Sequence, residues 1–482
     1  MQNNVLTLPK KRAHQRGPLA KRAVRTALAL GCTTLVLVGC GGGSDTSSAE
    51  TPTPLAAPEN FTIDSLASFS WKAMPDATRY ELFADLDGPG PQPEARMGEA
   101  EGFTYSSFNQ QFSGRLASGR YRIADLINAT YRLQACDANG CGAFTAAKAQ
   151  DIPKNISYEF PSGYAPLKSS ASNFDPISQD GRTLVLRGSN GSTGTLQVFT
   201  RIAVDQPWQL QAEFPTNAFR IALSADGNTL AGAEEGKVQI YQRSGTTWGL
   251  QTTITSTQTP AACPQPCELA PDRLALSANG NLLAVTGRFG APTYATNAVF
   301  TYARNGATWA PQSHLAPGSS IVGTALALSG DGNTLALNSS AITRSAGFPP
   351  PYLHVYAHSG NGTWSEQARL PVGIVNFLDI AASRYSALTL SNDGATLAVE
   401  ALNAPTQLPA EFHITGTDLA CAGMGSAAPA WHMALFAREG AIWRRQAVIA
   451  RDAASWALAS DGNTLRYGGE LFTRRNGTWA CP

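Results

Sequence analysis

The residues best suited to chemistry in this sequence are the acidic residues of a recurring Asp-Gly turn. One acid occurs at each of five turns and an asparagine at a sixth; the positions are Asp180, Asp226, Asn279, Asp331, Asp393 and Asp461. Calcium takes about six to eight oxygen ligands, typically from several carboxylates at alternate positions. One acid per turn is too few, whereas Asp and Asn favour turns because their side chains bond the nearby main chain. The pattern therefore predicts turns and no metal site.

Two histidines and two adjacent glutamates are the other residues with chemical potential. His354 and His358 lie either side of Tyr356 on a predicted strand, where four residues span about 13 Å, too far for one metal ion. Glu234 and Glu235 fall in a short connection and are predicted to be solvated rather than to act as a general acid and base. No Gly-x-Ser-x-Gly, Walker or zinc-helix motif occurs. We therefore predict no catalytic residue, no cofactor and no enzymatic activity.

An arginine recurs two residues after an aromatic residue in most repeats. The positions are Arg201, Arg243, Arg304, Arg438 and Arg474, and His358 occupies the place once. One arginine per repeat indicates a structural role, with its stem on the neighbouring repeat and its guanidinium on a carboxylate or carbonyl. A cationic ring for an anionic ligand is the alternative.

The amino terminus has the pattern of a targeting segment. Residues 1–39 hold seven Lys and Arg and no acid, and an uncharged run from Thr26 to Gly39 is too short to span a bilayer. The run Leu37-Val38-Gly39-Cys40 resembles the lipobox of bacterial lipoproteins. The resemblance implies that Cys40 becomes a lipidated amino terminus, which anchors the protein in a membrane. Gly41 in place of Asp implies sorting to the outer membrane; an ordinary secretory signal is the alternative.

Six cysteines remain once Cys32 leaves with the signal and Cys40 takes the lipid. They are Cys136, Cys141, Cys263, Cys267, Cys421 and Cys481. An even number in an exported chain predicts disulfides. Proximity favours Cys136 with Cys141 and Cys263 with Cys267, which leaves Cys421 for Cys481, although six cysteines allow 15 connectivities.

The charge of the chain bears on its partners. Without residues 1–39 it has 29 basic and 35 acidic residues, a formal charge of about −6. A mildly acidic chain of this kind lacks the excess of positive charge that is typical of nucleic-acid-binding proteins. Residues 40–57 are rich in Gly, Ser, Thr, Pro and Ala and predict a flexible tether.

Residues 58–152 contain short alternating runs separated by turn clusters, which predicts an all-β domain. Phe69-Ser70-Trp71, the strand with Tyr80, and a final hairpin from Thr130 to Gly142 resemble a fibronectin type III domain. The resemblance implies a β-sandwich in which Tyr80 faces Trp71 and a cystine pins the hairpin at Asn139-Gly140. Strands within 92–125 stay unassigned.

Residues 155–482 are organised by repeats of a phrase such as Ala222-Leu223-Ser224-Ala225-Asp226-Gly227-Asn228-Thr229-Leu230, each followed by an aromatic strand and a tryptophan. Two hairpins per repeat predict four-stranded blades, and a ring of blades is a β-propeller. The phrase resembles the FG-GAP, integrin-alpha-like propeller repeat. Six turns predict six blades, or seven if one is degenerate, with closure of the ring by residues 158–164.

Strand direction predicts that all tight turns share one end of the propeller and that the long connections share the other. Those connections are 288–297, 338–351, 402–432, 256–271 and 371–386. Binding function concentrates in such loops, and exposed aromatic residues dominate recognition surfaces. The predicted binding residues are Tyr294, Phe348, Tyr352, Trp431 and His432.

These observations predict a monomeric, lipid-anchored envelope protein whose propeller binds a protein or glycan without catalysis. One alternative is a propeller enzyme, a hydrolase or lyase acting on polysaccharide, which would need acids, histidines or arginines clustered around the central channel. The other is a scaffold in outer-membrane assembly.

Overall fold

The fold was analysed in a computed structural model of the 482-residue chain. The structure describes residues 54–101, 126–149 and 177–481, with gaps at 66–67, 89, 91, 191–192, 204, 265, 290–295, 317–320, 341–351, 372–387, 403–417, 420–430, 450–455 and 468–469. The signal segment, Cys40, most of the tether and residues 158–164 lie outside these ranges. Apart from one short 3-10 turn at Ser256–Gln258, the described elements are all β-strands.

The first part of the described chain folds into two small antiparallel sheets. One pairs β1 (Thr62–Ser65) with β2 (Ser68–Ser70). The other has the order β4-β3-β5-β6, with β7 also on β5; its strands are β3 (Arg79–Asp85), β4 (Ala95–Glu101), β5 (Thr130–Cys136), β6 (Cys141–Phe144) and β7 (Lys148–Ala149). The rings of Trp71 and Tyr80 lie 5.1 Å apart between their centroids, as the sequence predicted.

The hairpin β5–β6 carries the first disulfide, between Cys136 and Cys141. Asp137 Oδ1 accepts hydrogen bonds from the backbone N of Asn139 and of Gly140, which fixes the turn. Gly140 has φ +145°, a conformation that side chains with a Cβ rarely adopt. The pairing predicted from proximity is confirmed here, while the likeness to a fibronectin type III domain stays a resemblance.

Six sheets follow, one for each predicted repeat, and they form the blades of a propeller. Blade 1 contains β8 (Thr183–Asn190), β9 (Thr193–Thr200) and β10 (Gln209–Pro215), and a bridge from Ile177 to Leu184 marks its first strand. Blade 2 contains β11 (Arg220–Leu223), β12 (Thr229–Glu234), β13 (Lys237–Ser244) and β14 (Thr247–Thr255). Blade 3 contains β15 (Cys267–Leu276), β16 (Leu282–Phe289), β17 (Thr296–Asn305) and β18 (Thr308–Leu315).

The remaining blades follow the same plan. Blade 4 contains β19 (Ile321–Leu328), β20 (Thr334–Ser340), β21 (Tyr352–His358) and β22 (Trp364–Pro371). Blade 5 contains β23 (Leu388–Leu390), β24 (Thr396–Leu402), β26 (Trp431–Glu439) and β27 (Ile442–Ile449), with β25 (Asp418–Leu419) parallel to β27. Blade 6 contains β28 (Trp456–Leu458), β29 (Thr464–Tyr467), β30 (Glu470–Arg475) and β31 (Thr478–Ala480), so all four of its strands come from the carboxyl-terminal end.

The first strands of neighbouring blades pack against one another, β11 on β15, β15 on β19 and β19 on β23, which places them at the centre of the ring. Strand two is buried on both faces between blades and reads as an apolar run, in which Leu230, Ala231 and Ala233 are fully buried. Strand three alternates instead, with Val238 and Ile240 fully buried between partly buried polar residues. This burial explains why the repeat is Leu- and Ala-rich around each turn.

Two of the repeat tryptophans also join neighbouring blades. Trp248 Nε1 donates to Gln211 Oε1 of blade 1 at 2.8 Å, and Trp309 Nε1 donates to Gln251 Oε1 of blade 2 at 2.9 Å. Each glutamine stands three residues after its own blade's tryptophan, Trp208 or Trp248. These bonds link the outer strands of blades 1, 2 and 3, whereas at the next boundary neither Gln312 Oε1 nor Trp364 Nε1 has a hydrogen-bond partner among the described residues.

Candidate binding site

The Asp-Gly turns form one end of the propeller, which we call the turn end: residues 178–183, 224–229, 277–282, 329–334, 391–396 and 459–464. Backbone hydrogen bonds link these turns from blade to blade. They run from Gln179 N to Ala225 O, Asp226 N to Ala278 O, Ala278 N to Gly330 O, Asp331 N to Asn392 O, and Asn392 N to Ser460 O, with N–O distances of 2.8 to 3.3 Å. The turns thus hold the ring together near its axis.

Two side chains complete this ring and reach across the axis. Gln179 Nε2 of blade 1 donates to Ser460 Oγ of blade 6 at 3.5 Å. Asn392 Nδ2 of blade 5 donates to Gln179 Oε1 at 3.5 Å, past the intervening blade. The turn end is therefore crossed by polar side chains, and among the described residues blade 6 contacts blade 1 there.

The acidic residue of each turn is committed to the turn itself. Asp226 Oδ1 accepts from Ser224 Oγ at 2.5 Å and from Asn228 N at 3.0 Å, and Ser224 Oγ accepts from Thr229 N at 2.9 Å. Asp180, Asn279, Asp331 and Asp393 make the same two contacts, and Asp461 keeps the one from Asn463 N. These contacts account for the recurring acid as turn chemistry.

The recurring arginine joins each blade to the one before it. Arg243 Nη1 donates to Thr183 Oγ1 at 3.3 Å. Arg304, Arg438 and Arg474 make the same bond, at 3.2 to 3.4 Å, to Thr229, Thr334 and Thr396 of their preceding blades. Arg201 instead donates through Nε to Gly181 O and lies over the Trp208 ring. The structural role is thus observed. The predicted carbonyl partner is present for Arg201, Arg243 and Arg438, and the threonine hydroxyl of the preceding blade is an additional partner that was not predicted.

The histidines and glutamates singled out from the sequence have structural contacts. His354 is 4% exposed, and its Nδ1 lies 2.6 Å from Glu366 Oε1; burial lowers the pKa of His354. The His358 ring packs against the Trp364 ring at a tilt, with ring centroids 4.8 Å apart. Glu234 is not simply solvated, because it accepts from Thr216 Oγ1 at 2.5 Å and pairs with Lys237.

Within the described ranges, one group of three residues has metal-ligand spacing, namely Glu81, Cys136 and Cys141. Both sulfurs belong to the disulfide, so they cannot act as thiolate ligands.

The opposite end carries the connections between strands two and three and between blades; we call it the insertion face. Its best-described connection runs from blade 2 to blade 3, where a second disulfide joins Cys263 to Cys267, as predicted from proximity. Cys481 is also disulfide-bonded, and its predicted partner Cys421 lies outside the described residues. Most of the long connections at 288–297, 338–351, 371–386 and 402–432 also lie outside them.

The predicted binding residues are only partly placed. Tyr294 and Phe348 lie outside the described residues. Tyr352 and Trp431 begin strands β21 and β26, where they pair with Pro371 and Leu402, so they are not in loops as predicted. His432 is a further correction: it follows Trp431 in β26 and is 4% exposed, which excludes it from an exposed surface. The pairing of β26 with β24 begins earlier in the chain than the sequence indicated, so the His432 side chain is buried within the blade.

Three arginines that the sequence did not single out converge near the axis. Arg187 is the fifth residue of β8, and Arg220 and Arg273 stand four residues before the turn serines of blades 2 and 3. Phe219 O accepts from Arg187 Nη1 at 3.5 Å and from Arg220 Nη1 at 3.2 Å. Asp272 O accepts from Arg220 Nε at 3.2 Å and from Arg273 Nη1 at 2.7 Å. We call Arg187, Arg220 and Arg273 the arginine trio.

Solvent exposure decreases along the trio. Arg187 is exposed, Arg220 is half-buried and Arg273 is 5% exposed. Surrounding protein and the neighbouring charge of Arg220 both lower the pKa of Arg187. Guanidinium groups stay protonated at physiological pH.

No helix in the described part of the chain is both long and apolar enough to cross a bilayer.

No protein-family model and no curated protein matches the chain. Among solved structures, a protein described as a 6-phosphogluconolactonase from Bacteroides fragilis is 10% identical, with 85% of this chain and 95% of that chain covered and a TM-score of 0.40. The periplasmic gluconolactonase of Pseudomonas aeruginosa is 15% identical, with coverages of 82% and 92% and a TM-score of 0.36. TolB of Acinetobacter baumannii is 14% identical, with coverages of 72% and 72% and a TM-score of 0.33.

Proposed function

We propose that this protein is a lipid-anchored envelope protein whose propeller binds its ligand through the insertion face, without catalysis. The observation that carries the proposal is the difference between the two ends of the ring. The turn end is crossed by Gln179 and Asn392, whose side chains meet at 3.5 Å. The arginine trio lies about 13 Å along the strands from that end, four residues away. A ligand would therefore approach from the insertion face.

Binding fits the trio better than catalysis. The polysaccharide-enzyme alternative requires groups clustered at the axis, and the trio is such a cluster. A general acid or base must change protonation near the working pH, however, and arginine does not. The atoms that join the trio are backbone carbonyls of Phe219 and Asp272. Fixed guanidinium groups hold an anionic group in place, which is the chemistry of recognition.

Export and anchoring rest on the sequence and the disulfides. Cystines such as Cys136–Cys141 and Cys263–Cys267 form in oxidising compartments, and Cys40 stands where the lipoprotein resemblance needs it. Membrane fractionation of cells that produce the full chain or its Cys40→Ser variant tests the anchor. We expect the full chain in the membrane fraction and the variant in the soluble fraction; equal distribution would contradict anchoring.

The binding face is tested by photocrosslinking from the two ends of one blade. Glu235 and Thr246 are both exposed and lie just beyond opposite ends of β12 and β13, at the insertion face and the turn side respectively. A benzophenone amino acid is placed at either position in the full-length protein in intact cells. We expect discrete adducts from position 235 and none from position 246. Adducts from 246 alone, or equal adducts from both, would exclude the insertion face as the binding end.

A further inference from the structure

Asparagine followed by glycine is the dipeptide that rearranges most readily without an enzyme. Glycine has no Cβ to shield its main-chain nitrogen, so this nitrogen can attack the side-chain carbonyl carbon of the asparagine before it. The dipeptide occurs five times within the described ranges, at Asn139-Gly140, Asn279-Gly280, Asn305-Gly306, Asn361-Gly362 and Asn476-Gly477. The hydrogen bonds around the five pairs differ, and this difference sets which of them can react.

In two of the pairs the glycine nitrogen already donates a hydrogen bond. Gly140 N donates to Asp137 Oδ1 at 3.0 Å, and Gly280 N donates to Ser277 O at 2.9 Å. The Gly280 main chain also packs closely against Thr229 of the preceding blade. Because each bond must break before the nitrogen can attack, both turns protect their asparagine.

Asn361 is restrained through its side chain rather than through the glycine nitrogen. Its Oδ1 accepts hydrogen bonds from Ser359 Oγ, Thr363 N and Thr363 Oγ1. These bonds hold in place the carbonyl group that would be attacked, so this pair is also restrained.

The two remaining pairs, Asn305-Gly306 and Asn476-Gly477, are restrained in neither way. All four residues are exposed, and among the described residues neither glycine nitrogen nor either asparagine side chain makes a hydrogen bond. Each pair lies at a two-residue turn between strands three and four, β17 and β18 in blade 3 and β30 and β31 in blade 6. Gly306 and Gly477 have φ of +62° and +79°, as such hairpin turns require.

We propose that Asn305 and Asn476 are sites of spontaneous deamidation, whereas the fold protects Asn139 and Asn279. The glycine nitrogen loses its proton and bonds to the asparagine Cγ, the Cγ–Nδ2 bond breaks, and ammonia leaves with that proton. Water then opens the resulting succinimide ring at either carbonyl. The product is aspartate or isoaspartate, each with a new negative charge.

Deamidation at Asn305 would alter a hairpin that joins blade 3 to blade 2. Arg304 of this hairpin donates to Thr229 Oγ1, and Trp309 Nε1 donates to Gln251 Oε1. Either product places a carboxylate next to Arg304 in the chain, and isoaspartate also lengthens the main chain of the turn by one carbon. The modification would therefore affect a contact between blades, and this inference does not depend on the binding role proposed above.

Mass spectrometry of the full-length protein tests the proposal. Incubation at mildly alkaline pH, followed by digestion, gives the deamidation rate at each asparagine, and the same incubation in denaturant gives the rate in the unfolded chain. The ratio of folded to unfolded rate isolates the effect of the fold. We expect this ratio at Asn305 and Asn476 to exceed the ratio at Asn139 and Asn279 by about fivefold or more, which corresponds to about 1 kcal/mol for the hydrogen bond that must break. Equal ratios at all four positions would overturn the proposal.

The variant Asp137→Ala tests whether the hydrogen bond causes the protection. It removes the acceptor of Gly140 N, while the disulfide Cys136–Cys141 and the bond from residue 137 N to Gly140 O maintain the hairpin. We expect the rate at Asn139 to rise by about fivefold and the rate at Asn305, in the same molecule, to stay unchanged. An unchanged rate at Asn139 would overturn the proposed protection.

Discussion

Asn128 and Trp208 join the amino-terminal domain to blade 1 by two hydrogen bonds. Asn128 Nδ2 donates to Trp208 O at 2.8 Å, and Trp208 N donates to Asn128 Oδ1 at 2.7 Å. The side chain therefore pairs with the main chain of blade 1 as a neighbouring strand would. Buried residues of both parts also belong to one apolar cluster, from Phe61 to Trp248. The amino-terminal domain is thus packed on the propeller rather than separated from it.

The first prediction concerns this junction. Asn128→Ala leaves the N–H and C=O of Trp208 without their partners, and each buried unpaired group costs about 1 to 3 kcal/mol. We expect lower stability in denaturant unfolding and earlier exposure of the amino-terminal domain to protease. Asn281→Ala is the control, because the turn uses the main-chain N of Asn281. Equal loss of stability in the two variants would refute the role of the junction.

The second prediction concerns the turn glycines. Gly280 and Gly306 have similar positive φ, +64° and +62°, so Ala is strained at both, by about 1 to 2 kcal/mol. A Cβ at Gly280 would lie 2.3 Å from Thr229 Oγ1 of the preceding blade, whereas a Cβ at Gly306 meets nothing within 4 Å. Overpacking adds about 1 to 3 kcal/mol. We expect Gly280→Ala to lower the free energy of unfolding by at least about 1 kcal/mol more than Gly306→Ala; equal losses would show that the blades separate freely there.

The third prediction concerns the boundary where the arginine is replaced. Blade 4 has His358 in the arginine position, and blade 3 has Leu282 where its neighbours have threonine. Within the described residues, His358 Nε2 is buried without a hydrogen-bond partner. The double variant Leu282→Thr with His358→Arg should restore the bond made by Arg304 and Thr229. We expect a favourable coupling energy of about 1 kcal/mol in a double-mutant cycle of unfolding free energies.

The two single variants, Leu282→Thr and His358→Arg, are the controls, because each introduces one partner of the hydrogen bond without the other. Strictly additive effects would show that the arginine–threonine bond does not stabilise the blade boundary.

The sequence predicted the parts of this structure that repeat. The phrase around Asp226-Gly227 indicated the blades and the glycine turns, and the short spacing between Cys136 and Cys141 indicated their disulfide, because these features depend on local spacing. It did not predict the arginine trio, whose members share no spacing: Arg187 is in a second strand and Arg220 in a first. The one available signal was that Arg220 and Arg273 both precede a turn serine by four residues. Their approach to Arg187 depends on how blades 1, 2 and 3 pack against one another, which local patterns do not encode.

His432 shows the second limit of sequence reasoning. The run Trp431-His432-Met433 follows a long connection and looks like its exposed end. In the structure this run pairs with β24, and Ala401 lies opposite His432. Because successive side chains of a strand point to opposite faces, the His432 side chain lies inside the blade. Strand boundaries depend on the partner strand and are therefore poorly predicted from one segment.

The last prediction follows from this burial. Burial, with the charge of Arg445 adding to it, lowers the pKa of His432 to about 4, whereas an unfolded histidine titrates near 6.5. The unfolded chain therefore takes up a proton first as the pH falls. The neutral His432 stabilises the fold fully above about pH 6.5, and this stability is lost progressively toward pH 4.

For this residue the loss between pH 7.5 and 4.5 is about 2 to 3 kcal/mol. His432→Gln keeps a polar side chain but cannot titrate, so it should unfold with a smaller decrease over the same range in denaturant titrations. Other groups that titrate here, among them His354 with its lowered pKa, contribute equally to both proteins and cancel in the difference. At pH 7.5 the two proteins differ only through packing. The same decrease in both would mean that His432 is reached by protons in the folded state, and that β26 opens to solvent at this end.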